Sequence, residues 1–255
     1  MVRVLAKIAG LVFLAAQGCA ASIIVTYAST AGQQATTAQN ANTYTFNSLS
    51  TGLTSNVTWT GIGSFNKVWT QPADQYGGAG GTGQYAAVGS DSESVSLLST
   101  TLTLTTPQSY VGVWISALDQ ENQLTLYSGS TQLASFNVGI LENAIGSCTG
   151  SNPYCGNPNN TSEDPGEPFA YLNFFAQQGT TITSVVFSNL NNSTSFEYDN
   201  VSVSTSPGPV TGTVLATYTS TPEPGTWWTI GPGLLLLGGL ARWRGRAAIQ
   251  RDRHI

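Results

Sequence analysis

Between residues 22 and 206 the apolar positions fall in short runs with a period of two, and no stretch there keeps a helical period over three turns. The runs are SIIVTY (22–27), YTFNSL (44–49), NVTWT (56–60), QYAAVG (84–89), SVSLLSTTLTLTT (94–106), SYVGVWIS (109–116), NQLTLYS (122–128), TQLASFNV (131–138), YLNFFA (171–176), SVVFSNL (184–190) and FEYDNVSVS (196–204). β-Branched and aromatic residues dominate them, and Gly, Pro and Asn separate them, as in strands and turns. Gly129-Ser130 marks a tight hairpin. Three segments break the pattern: an Ala/Thr/Gln-rich connector (28–42), a glycine-heavy loop ending in GGAGGTG (61–83), and a long irregular stretch (139–168). Nine or more short strands predict an all-β, jelly-roll-like β-sandwich.

Two longer apolar runs lie at the ends. Residues 1–21 carry Arg3 and Lys7, an apolar region over 8–16 and then small residues, the layout of a secretory signal peptide. An uncleaved anchor, or a lipoprotein processed at Cys19, is the alternative; Ala16-Gln17-Gly18 makes a poor lipobox. At the other end, Pro222, Glu223 and Pro224 precede an apolar run over 226–241, and Arg242, Arg244 and Arg246 follow it. A 16-residue run makes a helix of about 24 Å, short of the ~30 Å hydrocarbon core of a bilayer. Pro232 and four glycines weaken it further as a permanent transmembrane helix. The arginines place the tail, 247–255, in the cytoplasm. The two prolines keep Glu223 in an extended segment just outside the membrane. Residues 207–221, rich in Pro, Ser and Thr, read as a stalk.

Charge sharpens this division. Residues 22–221 hold one basic residue, Lys67, against eleven acidic ones, a net charge of −10. Such a surface repels nucleic acid and anionic lipid and suits cations, or solubility through Ser, Thr, Asn, Gln and Gly. Cys148 and Cys155, in CTGSNPYC, are spaced for a local disulfide in an exported protein. Metal binding is the lesser reading, since no third Cys or nearby His accompanies them.

The Pro-Glu-Pro triplet, short apolar helix and arginine cluster together resemble the PEP-CTERM sorting signal of bacterial envelope proteins. The resemblance implies recognition and cleavage by an exosortase, a membrane transpeptidase-like enzyme, after signal peptidase has acted at the N-terminus. YVGVWISALDQENQLTLYSG, AYLNFFA, VVFSN and FEYDNVSV, in that order, are similar to the body of Npun-type exosortase-dependent surface proteins. This second resemblance spans about residues 84–204 and implies surface display on a β-sandwich, with no activity attached.

Candidate chemistry is sparse. The single histidine, His254, lies behind the sorting signal, so residues 22–221 lack a His-based triad and a His-ligated zinc. Carboxylates remain: Asp119 beside Glu121 in a turn, and Glu197 and Asp199 in FEYDN. Strand alternation sends Phe196 and Tyr198 to the core and Glu197 and Asp199 outward. Oxygen ligands of this kind suit Ca2+, which would draw on Asp199 with Glu197 or Asp119; the alternative is that they pin a neighbouring loop by hydrogen bonds. Trp69 and Tyr76, in loop-like sequence, are the candidate platform for a sugar ring, whereas Trp59 and Trp114 read as core. The expected protein is an exported, non-enzymatic surface or matrix component, structural or adhesive and linked to exopolysaccharide. A carbohydrate-binding module is the alternative, and a carboxylate glycosidase a third reading. Glu223→Ala is expected to leave unprocessed precursor in the membrane fraction, read by immunoblot; normal maturation of the variant would refute the sorting assignment.

Overall fold

A computed structural model describes residues 21–90, 96–149, 151–160, 163–191 and 193–219. The expected signal peptide (to residue 20), the Pro222-Glu223-Pro224 motif, the apolar run, the arginine cluster and the tail lie outside the described residues. Among the described residues no helix is long and apolar enough to cross a membrane.

Among the described residues the chain is all-β apart from one short helix and one 3-10 turn. In order come β1 (Ser22–Tyr27), β2 (Asn42–Tyr44), β3 (Gly52–Trp59), β4 (Gly63–Pro72), the 3-10 turn (Ala79–Gly81), β5 (Gln84–Ser90), β6 (Ser96–Leu97), β7 (Ser99–Gln108), β8 (Tyr110–Ser116), β9 (Asn122–Ser128) and β10 (Thr131–Asn137). Helix α1 (Val138–Ile145) follows, then β11 (Ala170–Gln177), β12 (Ile182–Asn189), β13 (Ser195–Ser204) and β14 (Thr213–Thr219). Eleven of these strands form one antiparallel hydrogen-bonded path, β10-β9-β12-β7-β4-β5-β13-β8-β11-β1-β14, which doubles over into a sandwich-like pair of layers; off the path, β2 pairs with β13, β3 with β4 and β6 with β5.

β4 is the hinge of that doubling. Gly63, Ser64 and Phe65 pair with β7, whereas Trp69, Thr70, Gln71 and Pro72 pair with β5, so one strand serves both layers. Gly63 lies so close to the Thr103 carbonyl of β7 that a Cβ has no room there. At the far ends of the path the Tyr218 hydroxyl on β14 donates to the Ser135 carbonyl on β10 at 2.7 Å, drawing the two edges together.

The core lies between the layers. Val185 and Phe187 of β12, Leu124 and Leu126 of β9 and Leu102 of β7 meet Phe196, Tyr198, Val111, Val113, Leu172 and Phe174 of the opposite layer, all buried. Phe187 stacks on Tyr198 with centroids 3.9 Å apart and planes 8° apart. Phe136 meets Phe174 edge-on at 6.3 Å. Alternation on each strand produces this arrangement, since every second side chain faces the same side.

The structure departs from the sequence reading in four places. The run 44–49 ends as a strand at Tyr44, because Phe46 takes a left-handed backbone (φ 59°) and turns its ring into the core. The glycine-heavy segment contains the ten-residue strand β4; its change of partner in mid-strand erases the period of two. Helix α1 occupies the start of the irregular segment, and its two turns are too short for a helical period to register. Part of the expected stalk, Thr213–Thr219, is β14, which pairs with β1 only and so keeps a polar, exposed face. Replacing Phe187 by Ala is expected to cost about 3–5 kcal/mol in denaturant unfolding, whereas Val214→Ser on exposed β14 stays within about 0.5 kcal/mol; equal losses would contradict this placement of the core.

Candidate functional site

The layer made of β4, β5, β13 and β8 has a second face, turned away from the core. Register places Trp69, Ala87, Glu197 and Ser116 in one row across those four strands. The neighbouring row carries Asp199, Trp114 and Tyr171. Loops cover this face. Trp114, Tyr171, Phe169 and Ala28 form a small apolar cluster beneath one part of the cover. A polar network lies beside it: Tyr110 donates to Asn173 at 2.8 Å, Tyr171 to Ser202 at 2.9 Å, and Asn173 to Thr26 at 3.3 Å.

Between the loops a cleft of about 550 Å3 stays open, lined by Trp69, Gln71, Asp74, Tyr76, Tyr85, Asp119, Glu167, Glu197 and residues 193–195 among others. Four carboxyl groups reach it from four segments: the β4–β5 loop, the β8–β9 turn, the approach to β11, and β13 itself. Asp74 is held by its own turn, accepting the amides of Tyr76 at 2.9 Å and Gly77 at 3.2 Å and the Tyr85 hydroxyl at 3.2 Å. The Asp119 turn is locked by Asn122, whose side chain accepts the Asp119 amide at 2.7 Å and donates to the Ser195 carbonyl at 2.9 Å.

Glu197 is 6% exposed, and its Oε2 has no hydrogen-bond partner; Oε2 of Glu167 and the hydroxyl of Ser116 are likewise buried without one. Buried acceptors are ordinarily paired, so three orphans in one neighbourhood are unusual. Burial, then the charges of Asp119 and Glu167, push the Glu197 carboxyl well above the ordinary carboxylate range. Burial, then Asp119 and Asp164, push Glu167 up to about 7. Burial and Glu121 raise Asp119, against a hydrogen bond from Thr194 that lowers it. Among the described residues no basic side chain lines the cleft; Lys67, the one basic residue among them, is exposed elsewhere on β4.

The sequence candidates divide. Glu197 and Asp119 do meet at the cleft. Asp199 does not join them: 3% exposed, it accepts the Ala79 amide at 2.9 Å and the Asn200 amide at 2.6 Å, and so pins the glycine-rich loop. The expected calcium set of Asp119, Glu197 and Asp199 is therefore split, and among the described residues no group of three acidic, His or Cys side chains is placed to hold a metal ion. Glu197 and Asp199 do leave the core side of β13, but covering loops bury them instead of exposing them. Trp69 is 3% exposed and forms part of the cleft wall, so it offers no open ring; its strand buries it. Tyr76, 43% exposed, stands at the mouth. Asp74 carried no signal in sequence, and Glu167 stood out only as one of an acidic cluster with Glu163 and Asp164; both lie in irregular segments that only the fold brings to β13. Cys148 and Cys155 form the expected disulfide, Cα–Cα 5.4 Å. It braces a wall whose Asn157 side chain donates to the Asp74 and Gln75 carbonyls at 3.2 and 2.7 Å.

Comparison with protein-family models, curated proteins and solved structures yields no match.

A carboxyl whose pKa is raised by folding favours the fold below its ordinary value and loses that contribution as pH climbs through the folded value. For Glu167 and Asp199 the window runs from ordinary values of 4.5 and 3.8 to about 7. The unliganded protein is therefore expected to be more stable at pH 5 than at pH 8, by on the order of 2 kcal/mol. Glu167→Gln should lessen the dependence, with Asp199 keeping the remainder, and a melting temperature that rises from pH 5 to pH 8 would contradict it.

Proposed function

We propose that this chain is an exported, exosortase-sorted surface or matrix protein whose jelly-roll-like domain binds extracellular polysaccharide without cleaving it. The observation that carries the binding role is the cleft. It combines an exposed tyrosine at its mouth (Tyr76), backed by the buried rings of Trp69 and Tyr85, with buried carboxyl oxygens without protein partners. Sugar rings present apolar C–H faces for aromatics and hydroxyl donors for such oxygens, and a cleft of this size lies within the ~300–1,000 Å3 usual for small-ligand sites. The bracketing of this domain by a signal peptide and a Pro-Glu-Pro sorting signal supports delivery to the envelope or beyond, where polysaccharide is met.

The same carboxyls give the glycosidase reading its footing. Glu167, pushed up to about 7, would hold its proton in part near neutrality, as a general acid must, and burial raises Glu197 well above the ordinary carboxylate range. Binding is the better supported role, because the only histidine, His254, lies behind the sorting signal and no basic side chain lines the cleft to tune or orient either carboxyl. Full-length protein presented with a panel of polysaccharides is expected to retain at least one of them and to release no reducing ends. Retention of none would overturn the binding role. Release of reducing ends that Glu197→Gln abolishes would replace it with hydrolysis.

A further inference from the structure

Resting on the glycan-binding reading, we infer that the cleft is a subsite for a cationic amino sugar, a hexosamine unit with a free, protonated amine. Asp74, Asp119, Glu167 and Glu197 converge on one cleft from four segments, and among the described residues no basic side chain lines it. An acidic cluster alone would be unremarkable on a chain with so few cations. What distinguishes this one is Glu197. It is 6% exposed, it lines the cleft, and its Oε2 accepts from nothing in the protein. A buried acceptor held in that state needs a donor from outside, and a charged donor compensates best in a low-dielectric site.

A neutral sugar would supply hydroxyl donors but leave the repulsion among the carboxyls in place. A metal ion would need several oxygens converging on one point, and no such group of three exists among the described residues. A hexosamine spreads one ammonium and several hydroxyls over the width of a ring, matching carboxyls that stand around the wall. Its apolar face suits Tyr76, whose ring is exposed at the mouth. A lysine side chain brings the charge without the hydroxyls or the flat apolar face.

Protonation couples to such binding. Glu197 faces Asp119 in the β8–β9 turn, Glu167 before β11, Asp74 in the β4–β5 loop and Tyr85 on β5; Glu121 adds to Asp119, and Asp164 to Glu167. All are acidic or neutral, so an ammonium lowers the carboxyl pKa values and displaces protons. Affinity then rises from pH 5 toward pH 7 and falls again as the ligand's amine, with a pKa of about 8, loses its charge.

The test is binding of full-length protein to immobilised glucosamine oligomers, to their fully N-acetylated forms and to neutral glucose oligomers. At about pH 6.5 the glucosamine oligomer is expected to bind roughly tenfold or more tightly than either, as a protonated amine against a neutral group allows. Glu197→Gln should remove most of that preference. Tyr76→Ala, an exposed change that spares the fold, should weaken all sugar binding. Equal binding of N-acetylated or neutral oligomers overturns the amine assignment while leaving glycan binding intact. Failure to bind any glycan overturns both readings. Equal binding of a lysine homopolymer overturns the sugar assignment, and a melting temperature raised by calcium but not by glucosamine oligomers makes the cleft a metal site.

Discussion

Everything about the candidate site depends on the two faces of β13. The strand pairs with β5 on one side and with β8 on the other, so it is central in its layer. Phe196 and Tyr198 take the inner face, and the stack of Tyr198 on Phe187 joins the two layers. The pleat then fixes Glu197 and Asp199 on the outer face. Two carboxyls on a central strand would ordinarily meet water. Here loops from both sides cover them, and the two side chains solve the burial differently. Asp199 is satisfied by backbone amides and becomes structural. Glu197 is left with an unpartnered oxygen and keeps its capacity for an outside donor.

The price of that capacity is electrostatic. Asp119 and Glu167 raise Glu197, and Asp119 in turn raises Glu167, with burial the larger cause in each. Neighbouring loops are held by neutral hydrogen bonds instead of ion pairs. Asn122, Asn157 and Asn189 each bind backbone groups of another loop or of their own turn. Asparagine does this without bringing a positive charge near the cleft, which an arginine or lysine would. The walls are thereby fixed while the carboxyls stay uncompensated. A local disulfide between Cys148 and Cys155 adds rigidity to one wall, in a segment with little apolar packing of its own.

Much of the architecture was legible because each strand pays its hydrophobic residues to one face. β1, β5, β8, β9, β10, β11, β12 and β13 fall close to the runs seen in sequence, where β-branched and aromatic residues cluster between turn residues. β4 was hidden because it changes partner at its middle, and Trp69 was misread with it. β14 was hidden because a strand with a single neighbour and an exposed face has the composition of a linker. Helix α1 was hidden by its length, two turns closed by Gly146, whose amide donates to Glu142 at 2.9 Å.

The sequence by itself determined the all-β class, the disulfide, the inner face of β13 and the poverty in cations, because these follow from local periodicity, spacing and composition. It also carried the terminal segments on which the sorting proposal rests. Only the tertiary structure decided which carboxyls meet. Asp74 and Glu167 are far from Glu197 in sequence and reach it through loops whose paths are set by pairing elsewhere in the sheet. It also decided that Asp199 is structural while its neighbour two positions away is free to accept. Alternation puts both on one face, but the loop that happens to lie over each one assigns its role.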